Sequence, residues 1–186
     1  REAKQLGVKS VMFGGTGEPL VHKNISAVAK HAWEWGLDVA FTTNGVLLNK
    51  LMSADCCTWI KVSLNAGTRE SYAAIHRTEE KDWDKVWANI KDAVDIVRSR
   101  GLATNLNMNL VSDPKDGDQL MPFSLLAKKL GVHYGIIKHC FVDDDGMLKV
   151  KVEDYPKVIE IMKECEKLSE PDGSFRLVAK WNRIGE

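Results

Sequence analysis

The sequence predicts an α/β protein built as a partial (β/α) barrel, with about five to six parallel strands and the helices outside. Three observations predict it. Short apolar, β-branched runs alternate with longer segments of helical period, and glycines close those segments at Gly36 and Gly101. Polar residues recur just past the runs, at the strand ends where parallel sheets carry their ligands.

The elements follow in order. Arg1 to Leu6, closed by Gly7, reads as the last turns of a helix, so the chain is expected to be a fragment whose parent continues upstream. Val8 to Phe13 is a buried strand ending in Gly14-Gly15. Ile25, Val28, Ala29, Ala32 and Trp33 share one helical face before Gly36. Leu37 to Thr43 is the second strand, a short helix spans Leu47 to Met52, and Trp59 to Leu64 is the third strand. A small helix covers Thr68 to Ile75. A long one carries Trp83, Val86, Trp87, Ile90, Val94 and Val97 on one stripe and stops at Gly101. In Leu102 to Val111, Leu106, Met108 and Leu110 alternate with Asn105, Asn107 and Asn109, which sets hydrocarbon on one face and amides on the other. The polar loop Asp113 to Asp118 introduces a helix through Leu126 and Leu130, His133 to Lys138 is a strand, and Val158, Ile159, Met162, Cys165 and Leu168 line the last helix. Phe175 to Trp181 completes the series. No linker or composition break interrupts it, so residues 1–186 read as one domain truncated at both ends. Sequential βα units curve into a barrel, whereas a doubly wound sheet needs a reversal of strand order.

Composition bounds the function. Among 186 residues, 26 Lys plus Arg balance 26 Asp plus Glu and 44% are hydrophobic, which suits a globular domain with a real core. A net charge of zero gives no field for gripping a nucleic-acid backbone or an anionic membrane. No apolar run approaches the roughly 18 residues of a membrane span, and no leader pattern is present, so the expected location is the cytoplasm. Cys56, Cys57, Cys140 and Cys165 show no paired metal-ligand spacing and read as reduced thiols.

The sharpest local signal is Gly14-Gly15-Thr16-Gly17-Glu18-Pro19 after the first strand. Its glycines permit positive φ and let a ligand reach bare backbone, and Glu18 offers a carboxylate suited to an ammonium. A tight turn with a solvated Glu is the bland alternative. No Gly-Lys-Ser/Thr follows, so it is not a P-loop, and it is not the dinucleotide fingerprint. Thr42-Thr43-Asn44-Gly45, Ser63-Leu64-Asn65-Ala66-Gly67, the three asparagines and Lys138-His139 stand at the other strand ends. Each alone is an ordinary turn former; together they mark one rim.

In this order the motifs resemble the radical S-adenosylmethionine (SAM) superfamily. Val11 to Leu20 resembles its Gly-Gly-Glu-Pro motif with one extra residue before the acid; Phe41 to Leu48 and Lys61 to Gly67, followed by Tyr72, Ile75 and Arg77, are similar to its next two strand ends. The resemblance covers nearly the whole chain. It implies that Gly15, Gly17 and Glu18 receive the methionyl amino group, that Ser63 and Asn65 bind the ribose, and that Arg77 pairs with the methionyl carboxylate. It further implies that Thr43 and Asn107 face substrate or cofactor and that the backbone near Ile137 and Lys138 lies beside adenine.

The resemblance also implies a 4Fe-4S cluster held by a C-x3-C-x2-C loop, which this sequence lacks and which is expected upstream of Arg1. The implied activity is reductive cleavage of SAM to a 5′-deoxyadenosyl radical that abstracts a substrate hydrogen, with a reductant such as ferredoxin or flavodoxin. The fragment itself is then catalytically incompetent, and no residue is assigned as catalytic or as a metal ligand. An auxiliary-cluster extension beyond Glu186 and a peptide or small-molecule substrate are among the expectations. Cys56, Cys57 and Cys165 read as packing, and Cys140 follows a strand end. The five histidines show no zinc spacing, Asp143 to Gly146 reads as a solvated turn rather than a calcium loop, and the six tryptophans read as core. Two other readings stay open: a non-catalytic nucleotide-binding domain, and a barrel enzyme for a phosphorylated metabolite, against which stands the lack of Lys or Arg in the glycine turn. A fragment short of one unit should expose the Val8 to Phe13 edge and pair or aggregate there.

Overall fold

The computed structural model describes residues 2–51, 55–113, 117–139 and 156–180. Cys140, the Asp143 to Gly146 turn and the end of the final strand at Trp181 lie outside the described residues.

Helices and strands follow in the order α1 Glu2–Gln5, β1 Ser10–Phe13, α2 Ile25–Glu34, β2 Asp38–Thr43, β3 Trp59–Ser63, α3 Arg69–His76, α4 Glu80–Ser99, β4 Asn105–Ser112, α5 Gly117–Leu130, β5 Tyr134–His139, α6 Pro156–Glu166 and β6 Arg176–Ala179. The strands hydrogen-bond in chain order from β1 to β6. Parallel register sets Phe13 level with Phe41, Phe41 with Ile60, and Ile136 with Val178. The order never reverses, which excludes the doubly wound arrangement and leaves the partial (β/α) barrel. Gly7, Gly36 and Gly101 end their helices at φ +84°, +71° and +60°, a backbone region that glycine enters without a Cβ clash.

Two compact units divide the chain. The first comprises Arg1–Ser63 and Asp84–Asn107, the second Leu64–Trp83 and Met108–Glu186. In the first, Val39, Phe41, Ile60, Val62, Val86, Ile90, Val94 and Leu106 are buried; in the second, Met108, Leu110, Leu120, Phe123, Ile137, Met162 and Leu177 are. Each such side chain contributes about 1.5–3 kcal/mol by leaving water. Cys56, Cys57 and Cys165 belong to these cores, as expected of small apolar residues.

Four local expectations are corrected. The first strand, expected to be buried over Val8 to Phe13, runs Ser10–Phe13 with no buried residue, and Met12 is 60% exposed, because β1 is the end strand of the sheet. On α2 only Ile25 and Ala29 are buried, while Val28 and Trp33 are 42% and 51% exposed, because the helix covers the sheet with a single narrow seam. Trp35 is exposed as well and donates from Nε1 to His31 Nε2 at 3.1 Å, so these two tryptophans are not core residues. The helix expected from Leu47 to Met52 is a single 3-10 turn over Leu48–Lys50, with Met52 outside the described residues. A second 3-10 turn, Pro19–Val21, follows the glycine turn; Pro19 occupies its first position, where a missing N–H costs nothing.

Candidate functional site

A pocket of about 280 Å³ opens at the strand ends of the first unit. The β1–α2 turn lines it with Gly15, Thr16, Gly17 and Glu18, the end of β2 with Thr42, Thr43 and Asn44, and the end of β3 with Ser63. Parallel register levels these ends, since Thr42 lies beside Lys61 and Thr43 beside Val62, so residues far apart in sequence meet at one rim.

The turn is shaped by its glycines. Gly15 sits at φ +134°, and a Cβ on Gly15 or Gly17 would meet nothing within 4 Å, so both present open backbone to the pocket. Gly14 instead lies close to β2, where a Cβ would stand 3.4 Å from Thr42 Cβ.

Glu18 ties the turn down. Its Oε1 accepts from Leu20 N at 3.0 Å, capping the 3-10 turn, and from Thr43 Oγ1 at 2.8 Å; its Oε2 accepts from Asn44 N at 2.7 Å. Lys50 Nζ donates to Leu20 O and Ser26 Oγ to Lys50 O, both at 2.7 Å, which fixes the exit of the turn. On the β2 side Gly45 N donates to Thr43 Oγ1 at 3.1 Å and Val46 N to Asn44 Oδ1 at 3.0 Å. Gly45 adopts φ +83°, and a Cβ there would lie 2.9 Å from Val62 Cγ1 and 3.0 Å from Val86 Cγ1, so no larger residue fits. Asn89 of α4 donates from Nδ2 to the carbonyls of Gly45 and Val46, each at 3.0 Å.

Of the expected site residues, the structure gathers Gly15, Gly17, Glu18, Thr43 and Ser63 around this pocket and adds Thr16, Thr42 and Asn44. Asn107 belongs to the same unit without lining the pocket; its Oδ1 is buried and has no hydrogen-bond partner among the described residues. Asn65, Arg77, Ile137 and Lys138 belong to the second unit. There Asn65 adopts φ +56° and serves the strand next door, accepting from Val111 N at 3.1 Å and donating from its own N to Asn109 O at 3.0 Å. Arg77 is the left-handed C-cap of α3, at φ +53°. Ile137 is fully buried, and its carbonyl accepts from Lys180 N at 3.0 Å. Asn89 carried no sequence signal, being one polar residue on a long amphipathic helix.

Open glycine backbone, hydroxyls and amides at one rim suit the polar end of an amino-acid nucleoside. A 4Fe-4S cluster finds no such fit: among the described residues no group of three or more His, Cys, Asp or Glu could hold a metal ion, and Cys56, Cys57 and Cys165 are buried in the cores. Among the described residues no helix is long and apolar enough to cross a membrane.

Fold and pocket together define a βα-barrel-type protein with an open pocket at the carboxyl ends of its first strands. A sequence profile of the radical SAM superfamily matches residues 1–118, and the chain belongs to that superfamily, whose cofactors are SAM and a 4Fe-4S cluster. Solved structures agree on the fold. SuiB of Streptococcus suis superposes with a TM-score of 0.71 at 16% identity over 97% of this chain and 41% of its own. Archaeal TYW1 gives 0.63 at 17% over 89% and 55%, and a domain of pyruvate-formate lyase-activating enzyme from Bacteroides vulgatus gives 0.62 at 15% over 92% and 98%. SuiB has been solved bound to SAM and also bound to its precursor peptide SuiA. This chain therefore spans about two fifths of SuiB and about half of TYW1. No protein of curated function matches the sequence.

Proposed function

We propose that the pocket of the first unit receives the amino-acid end of SAM in a radical SAM enzyme acting on a peptide or small-molecule substrate. The observation that carries this reading is the convergence of Gly15, Gly17, Glu18, Thr43 and Ser63 on one opening. In it, the Gly15 to Glu18 turn takes the amino group on its uncovered backbone, Thr42 and Thr43 line the neighbouring wall, and Ser63 offers a hydroxyl to a ribose. In the second unit, Arg77 offers a planar donor fork of the kind that suits a carboxylate. Asn107, of the same unit as the pocket, is a further proposed cofactor contact.

When bound beside a reduced cluster, SAM supplies a 5′-deoxyadenosyl radical for hydrogen abstraction. This chain's own part is to hold and orient the cofactor. The described residues offer no cluster ligands, so we propose that they bind SAM without cleaving it. A ferredoxin- or flavodoxin-like reductant and a reducing cytoplasm belong to the same reading, the latter supported by three free buried cysteines. A peptide substrate draws support from the structure of SuiB with its precursor peptide.

Calorimetric titration with SAM tests the reading. Saturable one-site binding that weakens when Ser63 is replaced by Val supports it; absence of heat and of thermal stabilisation at millimolar SAM refutes it.

A further inference from the structure

Glu18 stands where a carboxylate could meet the amino group of SAM, yet the structure already employs it. A carboxylate offers about four lone-pair sites. Three are taken by donors of the same chain: Leu20 N and Thr43 Oγ1 on Oε1, and Asn44 N on Oε2. Two of those donors lie 25 and 26 residues away, at the end of β2, so the side chain crosses from one strand end to the next.

The far side of that crossing is also anchored. Thr43 Oγ1 accepts from Gly45 N, Asn44 Oδ1 accepts from Val46 N, and Asn89 holds both following carbonyls. Gly45 is wedged against Val62 and Val86 with no room for a Cβ. The hydrogen bonds thus run without a break from the glycine turn, through Glu18 and the β2 end, to helix α4. Such a chain fixes the distance between the two walls of the pocket, and its members act as a unit.

We propose that Glu18 is a positioning residue: it braces the Gly15 to Gly17 turn against Thr43 and Asn44, and it is not the ion partner of the ligand ammonium. Asn89, on α4, is the remote end of the same brace. This inference rests on the reading of the pocket as a SAM site for its ligand, though the brace itself is a property of the free protein.

Two measurements on the intact chain test it. The first is amide hydrogen exchange without ligand in the wild type and in Glu18→Gln, whose amide presents a donor where Asn44 N needs an acceptor. The brace predicts faster exchange across residues 42–46; unchanged exchange there overturns it. The second is the affinity for SAM of Glu18→Gln, Asn89→Ala and the double variant. The brace predicts that each single change weakens binding about tenfold and that the double loses no more than the worse single. Unchanged affinity in Asn89→Ala, or a double variant whose loss is the product of the two, makes Glu18 a direct ligand group and overturns the proposal. Should Glu18→Gln not fold, Asn89→Ala decides alone, since a direct ion pair at Glu18 leaves its affinity intact. If the wild type binds no SAM, the SAM reading falls, and the exchange result still decides the brace.

Discussion

Thr43 donates its hydroxyl hydrogen to Glu18 Oε1 at 2.8 Å, and that bond joins the end of β2 to the turn after β1. Thr43 is itself buried, and its oxygen also accepts from Gly45 N, so one hydroxyl serves two walls of the pocket. Thr43→Val keeps the shape, removes the donor and strands the Gly45 N–H. We expect a loss of about 1–3 kcal/mol in urea unfolding, with Thr43→Ser nearly wild type. A Val variant as stable as the wild type contradicts the role assigned to this hydroxyl.

Two glycines of the site should behave oppositely. Gly45→Ala forces a Cβ into Val62 and Val86 at positive φ and should lower stability by about 1–3 kcal/mol. Gly17→Ala meets nothing within 4 Å and should fold normally, yet its methyl intrudes on the ligand's side and should weaken SAM binding about tenfold. Thermal melts with and without SAM separate the two effects.

Asn89→Asp retains size but turns a carboxylate toward the carbonyls of Gly45 and Val46, which now face an acceptor in place of a donor. It should destabilise the protein more than Asn89→Ala does. The comparison of chemical denaturation midpoints checks the order.

Burial lowers the pKa of His139 below its ordinary value, so the unfolded chain binds a proton that the folded chain refuses. A depressed folded pKa gives stability that is present above the ordinary imidazole pKa of about 6.5 and is lost as pH falls through the folded value. Urea midpoints should therefore drop between pH 7.5 and pH 5, and His139→Phe should flatten that limb. An equally steep limb in the variant removes His139 as its cause.

Much of this was legible in the residues. The sheet could be read because short apolar strands alternate with amphipathic helices, several of them stopped by glycine, as the buried Val86, Ile90, Val94 and Val97 of α4 and the Gly101 that follows illustrate. Trp33 and Val28 misled because periodicity names a helix face without saying how much of it the sheet covers. The glycine turn was legible for its composition. The inward orientation of Glu18 was not, since its partners at β2 depend on register rather than on local sequence. Asn89 was invisible for the same reason: its bonds to Gly45 and Val46 span 44 and 43 residues. At Asn65 and Arg77 the chain takes a left-handed turn that short polar or capping residues tolerate, a conformational role that residue identity alone left open.

The most direct measurement is isothermal titration of the chain with SAM, run in parallel with Gly17→Ala and Ser63→Val. The account predicts one saturable site in the wild type, weakened about tenfold in each variant while both remain folded. Binding that is absent from the wild type, or untouched by both substitutions, contradicts the assignment of this pocket.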